Sequence, residues 1–358
     1  VIRAVGGDQP LDSLGMFAAA GALPELLDSS IEDVASLRRL DAVPTGAVVA
    51  LGDGPARGAA EMVGAVVGAT ARVPLVGVSG GDLPGFVGRD SLVFVTAFTG
   101  DEPDACAAAR DAVRRGARLV AITRGGGLGR LAAEAGAPVV SLPDTPRARG
   151  ALLAMVVALL VGLERAGLVE PVGAALVAAS HQAAHRRDAL MAAGGGVAGE
   201  LARRIGRTFP MLCGASGLGA AAARWWQSEI AANARTLAVV ASAPELLADT
   251  IAAFGQAGDV TRQVLTLVEL RSDFEPAPAD RAFGRVDELL AEVVADRLVV
   301  RAEGAGPLAQ LVDLVVVGEF VSLRLAAAAG VDPGPAPAID ESPGGAPAAA
   351  VGRRRRPG

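Results

Sequence analysis

Short apolar runs that end on glycine turns, each followed by a stretch of helical composition, recur along this chain. Ala47 to Leu51 stops at Gly52-Asp53-Gly54, and Ala59 to Val67 then reads as a helix. Leu75 to Val78, Ser91 to Ala97, Arg118 to Thr123 and Pro138 to Leu142 are further runs without polar alternation, the pattern of strands buried on both faces. Helical stretches at Pro103 to Arg115 and Leu128 to Ala135 separate the later ones. Such alternation predicts a doubly wound parallel sheet. Ala151 to about Arg187 offers helix and no strand, and Gly194-Gly195-Gly196 marks a turn. A second alternating unit follows: Pro210 to Cys213, a glycine turn at Gly214 to Gly219, a helix through Ala234, and strands at Thr236 to Val240, Val264 to Leu270 and Arg297 to Arg301, with a helix at Phe283 to Asp296. Leu311 to Val317 reads as a last buried strand and Gly318 to Ala329 as a final helix. The expected organisation is a first α/β domain at 1–150, a helical connector at 151–195, a second α/β domain at 196–335, and a Pro- and Gly-rich disordered tail at 336–358.

Composition narrows the chemistry. Of 358 residues, 51% are apolar and 3% aromatic, and the formal charge is -6. Clustered positive charge and stacking rings are both scarce, so neither nucleic acid nor an anionic membrane is an expected partner. The chain has no lysine and no tyrosine, which removes Schiff-base, lysine-base and phenol chemistry. Cys106 and Cys213 are far apart among small or apolar neighbours and read as buried thiols of a reducing compartment. No charged start followed by an apolar core and a cleavage site is visible, and the apolar run Ala151 to Leu163 is shorter than a membrane span needs, so a cytoplasmic location is expected.

In an open parallel sheet, ligands lie beyond the carboxyl ends of the strands, where glycine turns and helix starts expose N–H groups. Gly52 and Gly54 occupy one such turn, and Thr99 and Gly100 another. The first turn lacks dinucleotide-binding spacing, and no acidic residue closes the next strand, so no nucleotide cofactor is expected. His181 and His185 are four apart on a helix, but no third ligand is evident and Gln182 stands where a zinc protease needs its base. No metal or other cofactor is expected.

Read with the second half, these turns resemble the bifunctional phosphoglucose/phosphomannose isomerases, a family built from sugar-isomerase (SIS) domains. Trp226-Gln-Ser-Glu-Ile-Ala-Ala-Asn-Ala-Arg235 is similar to the family's W-K-S-E-I-N-E-N-A-K, and Pro244-Glu245-Leu246 follows at the family's interval. Gly52-Asp-Gly-Pro-Ala56 resembles its G-M-G-G-S turn, Thr99-Gly100 its S-x-S-G-N-T phosphate loop, and Thr145-Pro146-Arg147 its P-R element. Gly318-Glu-Phe-Val-Ser322 and Val331-Asp-Pro333 resemble its G-D-Y-V-S and I-D-P ending. The likeness runs from about 1 to 341 and extends to actinobacterial relatives often labelled TobH. It implies two tandem SIS domains of flavodoxin-like, doubly wound parallel-sheet fold, a homodimer, and a sugar or sugar-phosphate derivative as partner.

The resemblance also implies which positions do chemistry. The family's proton-shuttling glutamate falls on Ala232 and its ring-opening histidine on Ala248, and neither methyl can carry a proton. Its enediolate-steadying arginine is kept as Arg147. Glu229, three residues before Ala232 on nearly the same helical face, is the candidate substitute carboxylate. Hydroxyl positions of the phosphate loop fall on Ala56, Ala97 and Glu102, and Asp101, Glu102 and Asp104 would repel a phosphate dianion. These acids are expected to cap the helix that begins near Pro103. The two expectations are a carbohydrate-derivative-binding protein with degenerate catalytic positions and, as the alternative, an aldose-ketose isomerase that uses Arg147 and Glu229.

Overall fold

The computed structural model describes residues 11–35, 37–38, 40 and 45–336; the start of the first domain and positions 337–358 of the expected tail lie outside the described residues. Five strands, β1 (Ala47–Leu51), β2 (Leu75–Val78), β3 (Ser91–Ala97), β4 (Arg118–Thr123) and β5 (Val139–Ser141), form an all-parallel sheet in the order β2-β1-β3-β4-β5. Successive side chains point to opposite faces, so each strand feeds two cores. Val48, Ala50, Leu92 and Phe94 face α2 (Leu23–Val34), α3 (Pro55–Val67) and α6 (Leu152–Arg165). Val49, Leu51, Val93 and Val95 face α4 (Pro103–Arg114) and α5 (Gly126–Glu134). Helices on both faces explain why these strands carry apolar runs with no polar alternation. Ahead of the sheet, α2 covers α6 and α1 (Met16–Gly21) packs on α2 and on α13 (Pro307–Ala329), a pair of helices that the sequence reading did not anticipate.

The second sheet has the order β7-β6-β8-β9, from β6 (Phe209–Gly214), β7 (Val239–Ser242), β8 (Leu265–Arg271) and β9 (Asp296–Arg301), again all parallel. The strand expected at Thr236 to Val240 begins three places later, because Arg235 adopts a left-handed conformation (φ 55°) that ends the preceding helix. One face meets α12 (Ala279–Leu290) through Phe283, Val286 and Leu290. The other joins α9 (Leu218–Glu229) and α13 (Pro307–Ala329) in the same apolar cluster that contains α3 and α6, so one continuous core runs between the two sheets. The remaining helices are α7 (Gly173–Met191), α8 (Gly196–Ile205), the short α10 (Ala243–Glu245) and α11 (Ala253–Val264).

One expectation is corrected. Leu311 to Val317 is not a strand but the interior of α13, which runs unbroken from Pro307 to Ala329 and ends at left-handed Gly330. A helix buried on all sides shows no apolar period, so its Val run mimics a buried strand. The apolar segment Ala151 to Leu163 is buried inside the chain against α2 and α3. α7, beyond it, packs instead along α13. There Asp313, wholly buried, accepts hydrogen bonds from Arg186 Nε (2.7 Å) and Nη2 (2.8 Å), Gln182 Nε2 (2.6 Å) and the Glu303 N–H (3.0 Å). A buried carboxylate so fully satisfied is tolerated and fixes the register of the two helices.

Candidate functional site

The order of the first sheet reverses between β1 and β3, and the turns singled out in the sequence flank that point. Gly52 leaves β1 where a Cβ would come within 2.5 Å of Ala56 Cβ and 2.6 Å of the Thr96 carbonyl, so only glycine fits. Gly54 precedes α3 with φ 54°, and Asp53 between them accepts the Gly80 N–H at 3.0 Å. Across the crevice, Gly100 (φ 83°) leaves no room for a side chain beside the Gly125 carbonyl. The donors of this loop are occupied. Glu102 accepts from Thr99 N (3.0 Å), Thr99 Oγ1 (2.8 Å) and Gly100 N (2.8 Å). Asp101 reaches away to the Gly127 N–H at 2.7 Å, at the start of α5. The expectation that these acids cap α4 is thereby corrected: Glu102 folds back onto the loop before it, and Asp101 serves the next helix. The reason is geometric, since the turn at Gly100 points its amides at the Glu102 side chain.

Arg147 lies elsewhere, in the segment between β5 and α6, where it is 8% exposed and lines a cavity of about 400 Å3. That cavity is walled by α1, α2, residues 144–150, Trp225 and Glu319. None of Gly52, Gly54, Thr99 or Gly100 lines it. Two loci therefore stand where the sequence suggested one: a glycine-turn crevice and a cavity beside Arg147.

Glu229 is wholly buried at the end of α9, behind the cavity wall. Its Oε2 accepts from Asn233 Nδ2 (2.9 Å) and lies 3.6 Å from Arg149 Nε. Arg149 Nη2 donates to Asn233 Oδ1 (2.6 Å) and to the Pro333 carbonyl (2.9 Å), and Asn233 Nδ2 also donates to Ser322 Oγ (2.8 Å). The other side of Glu229 meets the carboxyl of Glu319 on α13. Burial and the facing carboxylate push Glu319 well above the usual carboxylate range; burial likewise raises Glu229, with Arg149 opposing. Glu229 Oε1 finds no donor among the described residues. Arg149, Asn233 and Glu319 were not singled out from the sequence. The signals were present in the second arginine of Arg147-Ala148-Arg149 and in the acid of Gly318-Glu319-Phe320, which was read only as part of an ending.

The positions of the absent catalytic groups have a common backbone feature. Ala232 lies in a π turn, Ile230–Ala234, and Ala248 in another, Leu246–Thr250. π turns are rare and cluster at functional sites. Ala232 is buried and Ala248 exposed. Glu245 is exposed and bonds no helix-start amide. Trp226 Nε1 donates to the Leu314 carbonyl (2.7 Å) over Gly318 of α13, and Trp225 abuts Gly58 of α3. His181 and His185 are exposed on α7, and no group of three metal-ligating side chains occurs among the described residues. In the second sheet, burial pushes the Cys213 thiol up to about 12. Cys106 is also buried and free. Among the described residues no helix is long and apolar enough to cross a membrane.

Comparison with known proteins joins these observations. Residues 196–342 match the family described as the bacterial phospho-glucose isomerase C-terminal SIS domain. The chain is 27% identical over 264 residues to the bifunctional phosphoglucose/phosphomannose isomerase of Caldicellulosiruptor bescii, covering 72% of this chain and 77% of that one. It is 26% identical over the same length to the enzyme of that description from Aquifex aeolicus. In fold it is similar to the C-terminal domain of glucosamine-fructose-6-phosphate aminotransferase from Francisella tularensis (TM-score 0.70, 13% identity, covering 88% of this chain and 97% of that one). Tagatose-6-phosphate ketose/aldose isomerase from Escherichia coli is similar too (TM-score 0.67, 13% identity, covering 89% and 95%). With two parallel sheets, a match to the family model over residues 196–342 and a sequence likeness that spans 264 residues, the chain is similar to the SIS-domain phosphoglucose/phosphomannose isomerases.

Proposed function

We propose that this chain binds a carbohydrate derivative without interconverting aldose and ketose phosphates, and serves sugar-phosphate metabolism in a binding or regulatory role. One observation carries the reading: the Glu102 carboxylate holds the Thr99 and Gly100 amides and the Thr99 hydroxyl, the donors with which such a loop would take a phosphate. The alanines at 232 and 248 agree, since neither methyl, at the positions the two π turns present, is able to move a proton. A coupled assay for fructose 6-phosphate, supplied with glucose 6-phosphate or mannose 6-phosphate, is expected to stay at background; robust turnover would refute the reading. Glu102→Ala tests the carrying observation. It is expected to lower stability by about 1–3 kcal/mol, through donors left unpaired, and to create a thermal shift with inorganic phosphate that the unaltered chain lacks. The proposal includes a homodimer, which light scattering checks.

A second reading, an isomerase with relocated groups, is favoured by Glu319. Its carboxyl lines the cavity that contains Arg147, and burial together with the facing Glu229 raises it well above the ordinary carboxylate range. A carboxyl raised in this way suits the role of a general acid. This reading requires that Glu319→Gln and Glu229→Gln each abolish turnover.

A further inference from the structure

The cavity beside Arg147 has a composition of its own. At about 400 Å3 it is in the size range of small-molecule sites. Its wall is mostly apolar, with Met16, Ala19, Leu23, Leu26, Leu153 and Val315 among the lining residues. Trp225 also lines it. That side chain is 4% exposed, and its indole N–H meets no acceptor among the described residues. A methyl at Gly58 would stand 3.3 Å from Trp225 Cε3, so the benzo edge of the ring rests against α3 and the N–H is on the opposite edge. A buried donor without an acceptor is uncommon and marks a place where something is missing.

Two arginines and two acids line the wall. The Arg149 guanidinium is committed to Glu229, Asn233 and the Pro333 carbonyl, and Asp144 pairs with Arg124 at 2.8 Å. Such a wall is mostly apolar, and a phosphate dianion would lose its hydration there at a cost that an uncharged ligand does not meet. It does offer what a hydroxyl group uses: an N–H donor, a carboxyl that can accept or donate, and an apolar surface for the face of a ring.

From this arrangement we infer that the cavity between α1, α2 and residues 144–150 binds a small uncharged molecule that bears hydroxyl groups and an apolar face, such as an unphosphorylated sugar or its glycoside. The Trp225 N–H donates to one ligand hydroxyl, and Glu319 receives another. The inference rests on the carbohydrate-binding reading above and adds to it the class of ligand and the place.

Isothermal titration of the full chain with phenyl β-D-glucoside, glucose and glucose 6-phosphate tests it. Phenyl glucoside is expected to bind more tightly than glucose, and glucose 6-phosphate no more tightly than glucose. Trp225→Phe, which keeps the ring and removes only the donor, is expected to weaken glucoside binding about fivefold, the loss of one hydrogen bond. Ala19→Phe fills the cavity without touching its polar groups and is expected to abolish binding; if that variant does not fold, Trp225→Phe decides. Affinity unchanged by the tested variants overturns the inference. Tightest binding by glucose 6-phosphate overturns it while leaving the carbohydrate-binding reading in place. Failure of all three probes to bind overturns both.

Discussion

Glu229 and Glu319 face one another across α9 and α13 with a single guanidinium, Arg149, within reach. Two facing carboxylates, Glu229 wholly buried and Glu319 half-buried, cannot both be charged at low cost beside one arginine, which favours the protonated form of the pair. The sign for stability follows. Both groups are raised, so the folded chain holds a proton that the unfolded chain releases once pH passes the ordinary glutamate range. Their contribution is complete below that range and declines as pH rises from it toward the raised folded values, by about 1.4 kcal/mol per pH unit for each proton held only in the fold. Thermal melts of Glu319→Gln across that range are expected to show a flatter decline than the unaltered chain; parallel curves would mean that the pair holds no proton. At this scale the sequence was least informative. Glu229 was visible from its spacing to Ala232, but its charged partners Arg149 and Glu319 come from positions 80 and 90 residues away in opposite directions, and no periodicity connects them.

Among elements, the strands of the first sheet were legible almost residue for residue, because an apolar run bounded by glycine has few other readings. α13 was misread for the opposite reason: it is buried all round, and its polar residues Gln310 and Asp313 face partners inside the protein. Its contact with α9 is close, since a Cβ at Gly318 would lie 2.2 Å from Trp226 Nε1. Gly318→Ala therefore has to push α9 away or break the bond from Trp226 to Leu314, and is expected to cost about 2–3 kcal/mol in denaturant melts. A neutral outcome would show that the two helices can slide. Asp313→Ala, which takes the shared acceptor from Gln182 and Arg186 and leaves Arg186 only Glu303, is expected to cost about 3 kcal/mol by the same measurement.

At the scale of the whole molecule, the sequence foretold two sheets, while the core that unites them was not foreseen. α3, α6, α9 and α13 share one apolar cluster between the sheets, and Arg149 carries the polar counterpart of that union from the β5–α6 segment to Asn233 and Pro333. A shared core predicts cooperative unfolding. Arg149→Met removes the polar tie and leaves the Glu229 carboxyl beside an apolar chain. It is expected to lower the melting temperature of one joint transition, and a split into two transitions would show that the polar tie, more than the core, couples the halves.

The Glu102 carboxylate has a consequence for competition. Being tethered two and three residues from the donors it occupies, it acts as a ligand at an effective concentration in the millimolar range or above that dilution never lowers. Any free anion that would use the Thr99 loop must first displace it, so the loop is its own competitive inhibitor, present in every molecule at all times.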